Sequence, residues 1–311
     1  MSVAGKLSTD LGIQRFNRIS KPTNYIFSFI FMILAFVCVI PLVFVTIISL
    51  SSDASIQQIG YSFAPQEWSS YAYRYLWNSS DTIGRAFVVS VFITVAGTVF
   101  GLLMNASMGF VLSRQAFKLK KLYTTLIFIP MLFSGGLVPS YMINTQLLGL
   151  QNSYLALILP MAVSTFYIII LRTFFTSSVP DSIIESAKID GANQYYVFFR
   201  IVLPISLPAL ATIGLFLSFS YWNDWFMALL YIRSDHMHMY PLQYVLISIE
   251  RNIDFLMRNA EFFSATMTGD RIPAESARMA LVVVIVLPIA CAYPFFQRYF
   301  ISGLTIGAVK G

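Results

Sequence analysis

The chain has 311 residues, 57% hydrophobic and only 11% charged, with a formal net charge of +6 and a mean hydropathy of +0.72. A soluble domain carries about 25% charged residues, so this deficit excludes an ordinary soluble protein and points to a multi-pass membrane protein built of helices. The positive balance reads as topology and contact with anionic membrane lipid, and nothing in it supports nucleic-acid binding.

Six apolar runs predict an all-α protein with six transmembrane helices, at about 25–50, 85–112, 122–143, 153–175, 205–231 and 279–301. An even number of spans puts both termini on one side. The first run starts too late and runs too long for the hydrophobic part of a cleavable signal. Every lysine (Lys6, Lys21, Lys118, Lys120, Lys121, Lys188, Lys310) falls in the N-terminal arm, the 113–121 loop, the 176–204 loop or the tail 302–311. The positive-inside rule makes these segments and both termini cytoplasmic. The two cysteines, Cys38 and Cys291, fall within predicted spans and suggest no disulfide.

The first external loop, 51–83, carries Trp68, Tyr71, Tyr73, Tyr75 and Trp77, which suit a partner contact or an interfacial anchor. In the second span Gly97, Gly101 and Asn105 recur every four residues, a spacing that permits close helix approach within this chain or across to a partner. Pro41, Pro130, Pro160, Pro288 and Pro294 predict kinked spans.

The 176–204 loop interrupts this apolar pattern with Glu185, Lys188, Asp190 and Arg200. Ser178-Val-Pro-Asp181 predicts a helix start, with Ser178 accepting from free amides, Pro180 in the first turn and Asp181 at the positive helix end. Ile183, Ile184 and Ala187 give the short helix an apolar side, Gly191 allows a sharp turn, and Ala192–Arg200 predicts a second short helix. Pro204 marks the start of the fifth span. Such a knob suits docking into a partner's groove, or lying on lipid.

In the fifth span Tyr221-Trp-Asn-Asp-Trp225 sets aromatic faces beside an amide and a carboxylate. Sugars present hydroxyls and apolar C–H faces, so Tyr221, Asn223, Asp224 and, on the second span, Asn105 are candidate linings of a substrate pathway. The alternative is an aromatic belt whose polar groups bond neighbouring helices. In the external segment 232–278, Leu242, Val245, Leu246, Ile249, Ile253 and Leu256 predict an amphipathic helix, and Asn259–Pro273 an irregular, polar stretch suited to contact with another protein.

Catalytic machinery is absent from the sequence. It has no G-x-x-x-x-G-K-[ST] phosphate loop, no H-E-x-x-H and no G-x-S-x-G. His236 and His238 lack a further ligand cluster, so no metal site is expected. Asp224 alone is thin machinery for ion coupling.

Glu185-Ser-Ala187, Gly191, nine residues, then Ile201-Val-Leu203-Pro204 is similar to the EAA signature of ABC importer permeases, departing only at Ser186. Phe133-Ser-Gly-Gly-Leu-Val-Pro139, Leu148-Gly-Leu150, Trp222-Asn-Asp-Trp225, Pro241-Leu-Gln243 and the ending Gln297-Arg-Tyr-Phe300…Gly303-Leu304…Gly307…Lys310-Gly311 resemble the carbohydrate branch. The chain resembles the second permease of maltose-type systems, within the LplC-like group. This resemblance implies a single permease domain of the type I fold in a bacterial cell membrane. It implies a homologous second permease, two ATPase subunits that bind the ATP and magnesium, an extracellular or periplasmic binding protein, and an oligosaccharide cargo. It further implies that the 181–200 loop is the coupling helix, with Glu185, Ser186, Ala187, Asp190 and Gly191 docking on an ATPase and Gln297 and Lys310 in a second contact. A non-sugar importer, or a channel or scaffold that works without ATP, is the other class compatible with the spans.

Overall fold

A computed structural model describes residues 21–78, 80–258 and 274–308. The helices are α1 (Lys21–Ser49), α2 (Asp53–Ile59), α3 (Tyr71–Trp77), α4 (Ser80–Ser113), α5 (Lys120–Leu132), α6 (Leu137–Leu147), α7 (Tyr154–Ala162), α8 (Thr165–Ser178) and α9 (Asp181–Ile189). They continue with α10 (Gln194–Ile205), α11 (Leu207–Trp222), α12 (Phe226–Tyr231), α13 (Leu242–Arg258) and α14 (Ala274–Ala308). No strand occurs among the described residues, only an isolated bridge between Ser51 and Trp68. The protein is all-α, as its apolar runs require: in lipid each backbone group must find its partner within the segment.

Two helices, Pro22–Ser49 and Ser80–Ser113, are each long and apolar enough to cross a membrane. Three bent pairs bring the described total to five if each is one span: α5 with α6 at 116°, α7 with α8 at 52°, and α10 with α11 at 84°. The sixth predicted run, 279–301, lies within α14.

The breaks have local causes. Between α5 and α6 the chain turns at Gly135-Gly136, with Gly136 at φ +86, which side-chain-bearing residues rarely adopt. Between α7 and α8, Val163 and Ser164 are extended. At the third break Ser206 lies between Pro204 and Pro208, and Pro208 opens α11 where its missing N–H is harmless. Breaks thus follow Pro130 and Pro160 by a few residues, whereas α1 and α14 run on through Pro41, Pro288 and Pro294.

The described residues form two compact units, one drawn from residues 1–73 and 275–283 and the other from residues 74–274 and 284–311. In the first, α1 exposes an apolar surface along residues 25–42, including Phe29, Phe31 and Phe36. Ser52 caps α2, and Asp53 of α2 accepts from the Ser276 amide and hydroxyl at 3.0 and 2.7 Å. The second unit is organised around α4, which packs on α7, α8, α11 and α13. Its buried interior includes Leu157, Leu171, Phe175, Val197, Ile213 and Leu217.

The α4 stripe explains the tight packing. A Cβ at Gly97 would stand 2.5 Å from the Tyr221 ring, and one at Gly101 would stand 2.9 Å from the Ala162 carbonyl oxygen. Gly109, one turn beyond Asn105, continues the stripe against Leu171. The close approach is within this chain.

Three local expectations are corrected. Ser178 is the last residue of α8 and makes no cap; α9 starts after Pro180, and Asp181 is turned to an arginine instead. The second short helix is capped by Asn193, whose side chain accepts from the Tyr196 amide at 2.8 Å, rather than starting at Ala192. It also passes through Pro204 to Ile205, with a π turn over Val197–Val202, so the next helix, α11, begins at Leu207 rather than at Pro204. The predicted amphipathic helix is α13: Leu242, Val245, Leu246 and Ile253 are buried, and the Leu242 amide donates to Ser90 Oγ on α4 at 2.7 Å. Asn259–Pro273 lies outside the described residues.

Candidate functional site

Two sets of residues were singled out by the sequence, and they meet opposite fates. The polar candidates of the membrane interior are committed to the fold. Asn105 is fully buried at 0% exposure. Its Nδ2 donates to Gly101 O at 2.6 Å and Ala162 O at 2.7 Å, while its Oδ1 accepts from Ser164 N at 3.0 Å. Those last two groups are what the α7–α8 break leaves without helical partners. Thr165 secures the other flank by donating to Ile127 O on α5 at 2.8 Å. Asn105 is therefore a clamp on a broken helix, and the expectation that it lines a cavity is corrected: no part of it is accessible.

Tyr221 is corrected in the same way. Its ring lies against Gly97, it is buried, and its hydroxyl donates to Ile158 O at 2.7 Å, one turn from the Ala162 carbonyl held by Asn105. Asn223 is exposed and donates to Phe219 O at 2.9 Å, closing α11. Asp224, just before α12, accepts from the Met227 amide in its first turn at 3.3 Å. The structure thus divides the four pathway candidates between two places: Asn105 and Tyr221 inside the α4–α7–α11 packing, Asn223 and Asp224 at the α11–α12 break. Beside that break the Arg251 guanidinium lies 5.5 Å from the Trp225 ring centroid. The rings of His236 and His238 are 5.9 Å apart, and no group of three or more metal-ligand side chains occurs among the described residues.

The second set is the loop that carries the EAA-like residues. α9 is anchored by Ile184, which is buried, and by Ala187, which packs against the same core. Its other side is free. Ile189 is 86% exposed, Ile183 is exposed, and beyond the turn so are Tyr195, Tyr196 and Phe199. Exposed apolar groups are individually ordinary, but five on one short helical hairpin give it a markedly apolar exposed side.

The turn depends on Gly191, at φ +84 with open space where a Cβ would project, so the requirement is conformational rather than steric. The Ala192 amide donates to Ala187 O at 2.9 Å and the Asp190 amide to Ser186 O at 3.0 Å, closing the helix end. Glu185 is exposed and forms no hydrogen bond or ion pair among the described residues. It stands on the wall of a cleft of about 500 Å³ with Arg114, Gln115, Asp181, Lys188 and Gln194. Gln297 is exposed on α14, with no hydrogen bond to α9, and Lys310 lies outside the described residues.

Sequence reasoning missed one connection here. Arg114 Nη1 donates to Asp181 Oδ1 at 2.9 Å, joining the end of α4 to the first turn of α9. The available signal was an arginine directly after the second span and an acid opening the short helix, 67 residues apart.

Residues 97–306 match the family described as "Binding-protein-dependent transport system inner membrane component". The chain belongs to this family. It is an ABC importer permease, a multi-pass membrane transport subunit rather than an enzyme. It is 38% identical over 294 residues to the polygalacturonan/rhamnogalacturonan transport system permease protein YtcP of Bacillus subtilis strain 168, covering 92% of this chain and 97% of that relative. It is 38% identical over 275 residues to Protein LplC of the same organism, covering 88% and 90%. The permease is also similar in structure to a bacterial ABC transporter involved in the import of the acidic polysaccharide alginate. That match has a TM-score of 0.75 and 28% identity, covering 91% of this chain and all of that one. The type I permease fold and the LplC-like carbohydrate branch follow.

Proposed function

We propose that this permease forms one domain of an ATP-driven importer and carries an oligosaccharide from an extracellular or periplasmic binding protein into the cell. A homologous second permease completes the pathway, and two ATPase subunits bind the ATP and magnesium and dock on α9. The lysine-bearing loops and both termini face the cytoplasm. The observation that carries the reading is the α9–Gly191–α10 hairpin: anchored by Ile184, hinged at a positive-φ glycine, and presenting Glu185 with no partner among the described residues. An exposed apolar and acidic knob suits a groove with a basic group in another subunit. Ser186, Asp190, Gln297 and Lys310 belong to the same proposed contact. The relatives named for polysaccharide transport support an oligosaccharide as cargo, and Asn223 with Asp224 remain the candidates for its path.

The mechanism follows from rigid attachment. Closure of the ATPases displaces α9, and the anchored helix moves the spans between inward- and outward-facing arrangements. Affinity purification of the full-length permease from its own membrane tests the assembly. An ATPase and a second permease should come with it, together with uptake that requires the binding protein. A permease that purifies alone and passes solute without ATP would show a channel instead.

A further inference from the structure

Arg114 lies at the junction of α4, α8 and α9, and its side chain is only 14% exposed. Nη1 donates to Asp181 Oδ1 at 2.9 Å on α9, Nη2 reaches Phe175 O at 3.4 Å on α8, and Nε donates to Ser113 Oγ at 2.9 Å. The guanidinium carbon stands 5.2 Å from the centroid of the Phe110 ring, which in turn packs on Phe175 at 6.4 Å and on Phe198 of α10 at 5.4 Å. One side chain thus touches the ends of two long helices and the start of the coupling helix, and through one ring it also reaches α10.

A guanidinium is suited to this position. Its planar fork serves three acceptors in different directions while a face rests on an aromatic ring, which an ammonium cannot reproduce. Burial pulls the Arg114 pKa below its ordinary value, and the Asp181 carboxylate opposes that fall. The arginine remains charged across the physiological range. Asp181 is 54% exposed and would lose little by turning to water, so the pair is not explained as a way of hiding an acid.

We propose that Arg114 is a positioning residue for transport: it latches the first turn of α9 to the ends of α4 and α8, so that the coupling helix and these spans move as one body. The inference rests on the coupling function proposed for α9. Ile184 and Ala187 anchor the middle of the helix through its apolar side, one turn apart, and leave its first turn unsecured by apolar packing. The ion pair at Asp181 fixes that first turn. Force applied near Glu185 then reaches the spans instead of rotating the knob.

The test is a double-substitution cycle in the assembled transporter, reconstituted in liposomes with its ATPases, second permease and binding protein. Arg114→Gln and Asp181→Asn should each leave assembly and basal ATP hydrolysis intact while lowering uptake per ATP hydrolysed by about tenfold, a coupling within the range for bonded pairs. The double variant should be no worse than either single one. Arg114→Lys should recover only part of the ratio. A nitroxide at exposed Ser182, with Cys38 and Cys291 replaced by serine, should report greater motion of α9 in Arg114→Gln and in Asp181→Asn. Unchanged uptake per ATP in either variant, or losses that multiply in the double variant, would overturn the latch. Because Asp181 is exposed, Asp181→Asn answers the question even if Arg114→Gln fails to fold. Failure of the underlying coupling function has a separate signature: Glu185→Lys would then leave ATPase binding and uptake unaltered, whatever Arg114 does.

Discussion

Asn105 on α4 and Glu185 on α9 are both polar side chains in a chain poor in such groups, and the structure uses them in opposite ways. Asn105 spends every hydrogen-bonding group on the backbone around one helix break, fully buried. Glu185 spends none among the described residues and is exposed on a helix whose other side is anchored. In lipid an unpaired buried polar group is expensive, so a polar residue of the interior is recruited by the backbone nearest to it. At an exposed position water satisfies the group, and its carboxylate stays available for a partner to claim.

The contrast predicts a descending series of effects. Asn105→Leu keeps the branched heavy-atom skeleton but strands the Ala162 carbonyl and the Ser164 amide at about 1–3 kcal/mol each, so roughly 2 kcal/mol or more of stability should be lost. Thermal unfolding of the purified permease would register it, and an unchanged midpoint would mean that the clamp is dispensable. Gly97→Val comes next. The Tyr221 ring cannot withdraw without giving up its bond to Ile158, so overpacking of about 1–3 kcal/mol is expected in the same assay. Gly191→Ala meets no neighbouring atom and should cost only about 1–2 kcal/mol, through its positive φ. Its effect should therefore appear chiefly in uptake, by misdirecting the hairpin. Ile189→Ser should be smallest in stability, within about 0.5 kcal/mol for an exposed site. It should nevertheless weaken ATPase co-purification, and equal recovery of the ATPase would remove Ile189 from the contact.

Much of this was legible in the sequence because it rests on residue spacing. Long apolar runs give helices, Gly97, Gly101 and Asn105 at intervals of four give close approach, and the stripe from Leu242 to Ile253 gives α13. The EAA-like residues gave the hairpin and its glycine turn. Relations between distant segments were not legible. That Asn105 faces a break 57 residues away, or that Asp181 faces Arg114 rather than Ser178 capping the helix, depends on which helices become neighbours. The breaks themselves were only half visible, since proline marks where a helix is weak while the turn falls a few residues later at Gly136 or Ser164. Tyr221 misled for a related reason: an aromatic hydroxyl suits a sugar and a backbone carbonyl equally, and only packing decides between them.

Glu185→Lys tests the central claim most directly. The charge-reversed permease, reconstituted with the second permease, the ATPases and the binding protein, should keep the unfolding midpoint of the parent chain while uptake and substrate-stimulated ATP hydrolysis collapse together. Full uptake with a normal complement of bound ATPase would contradict the account.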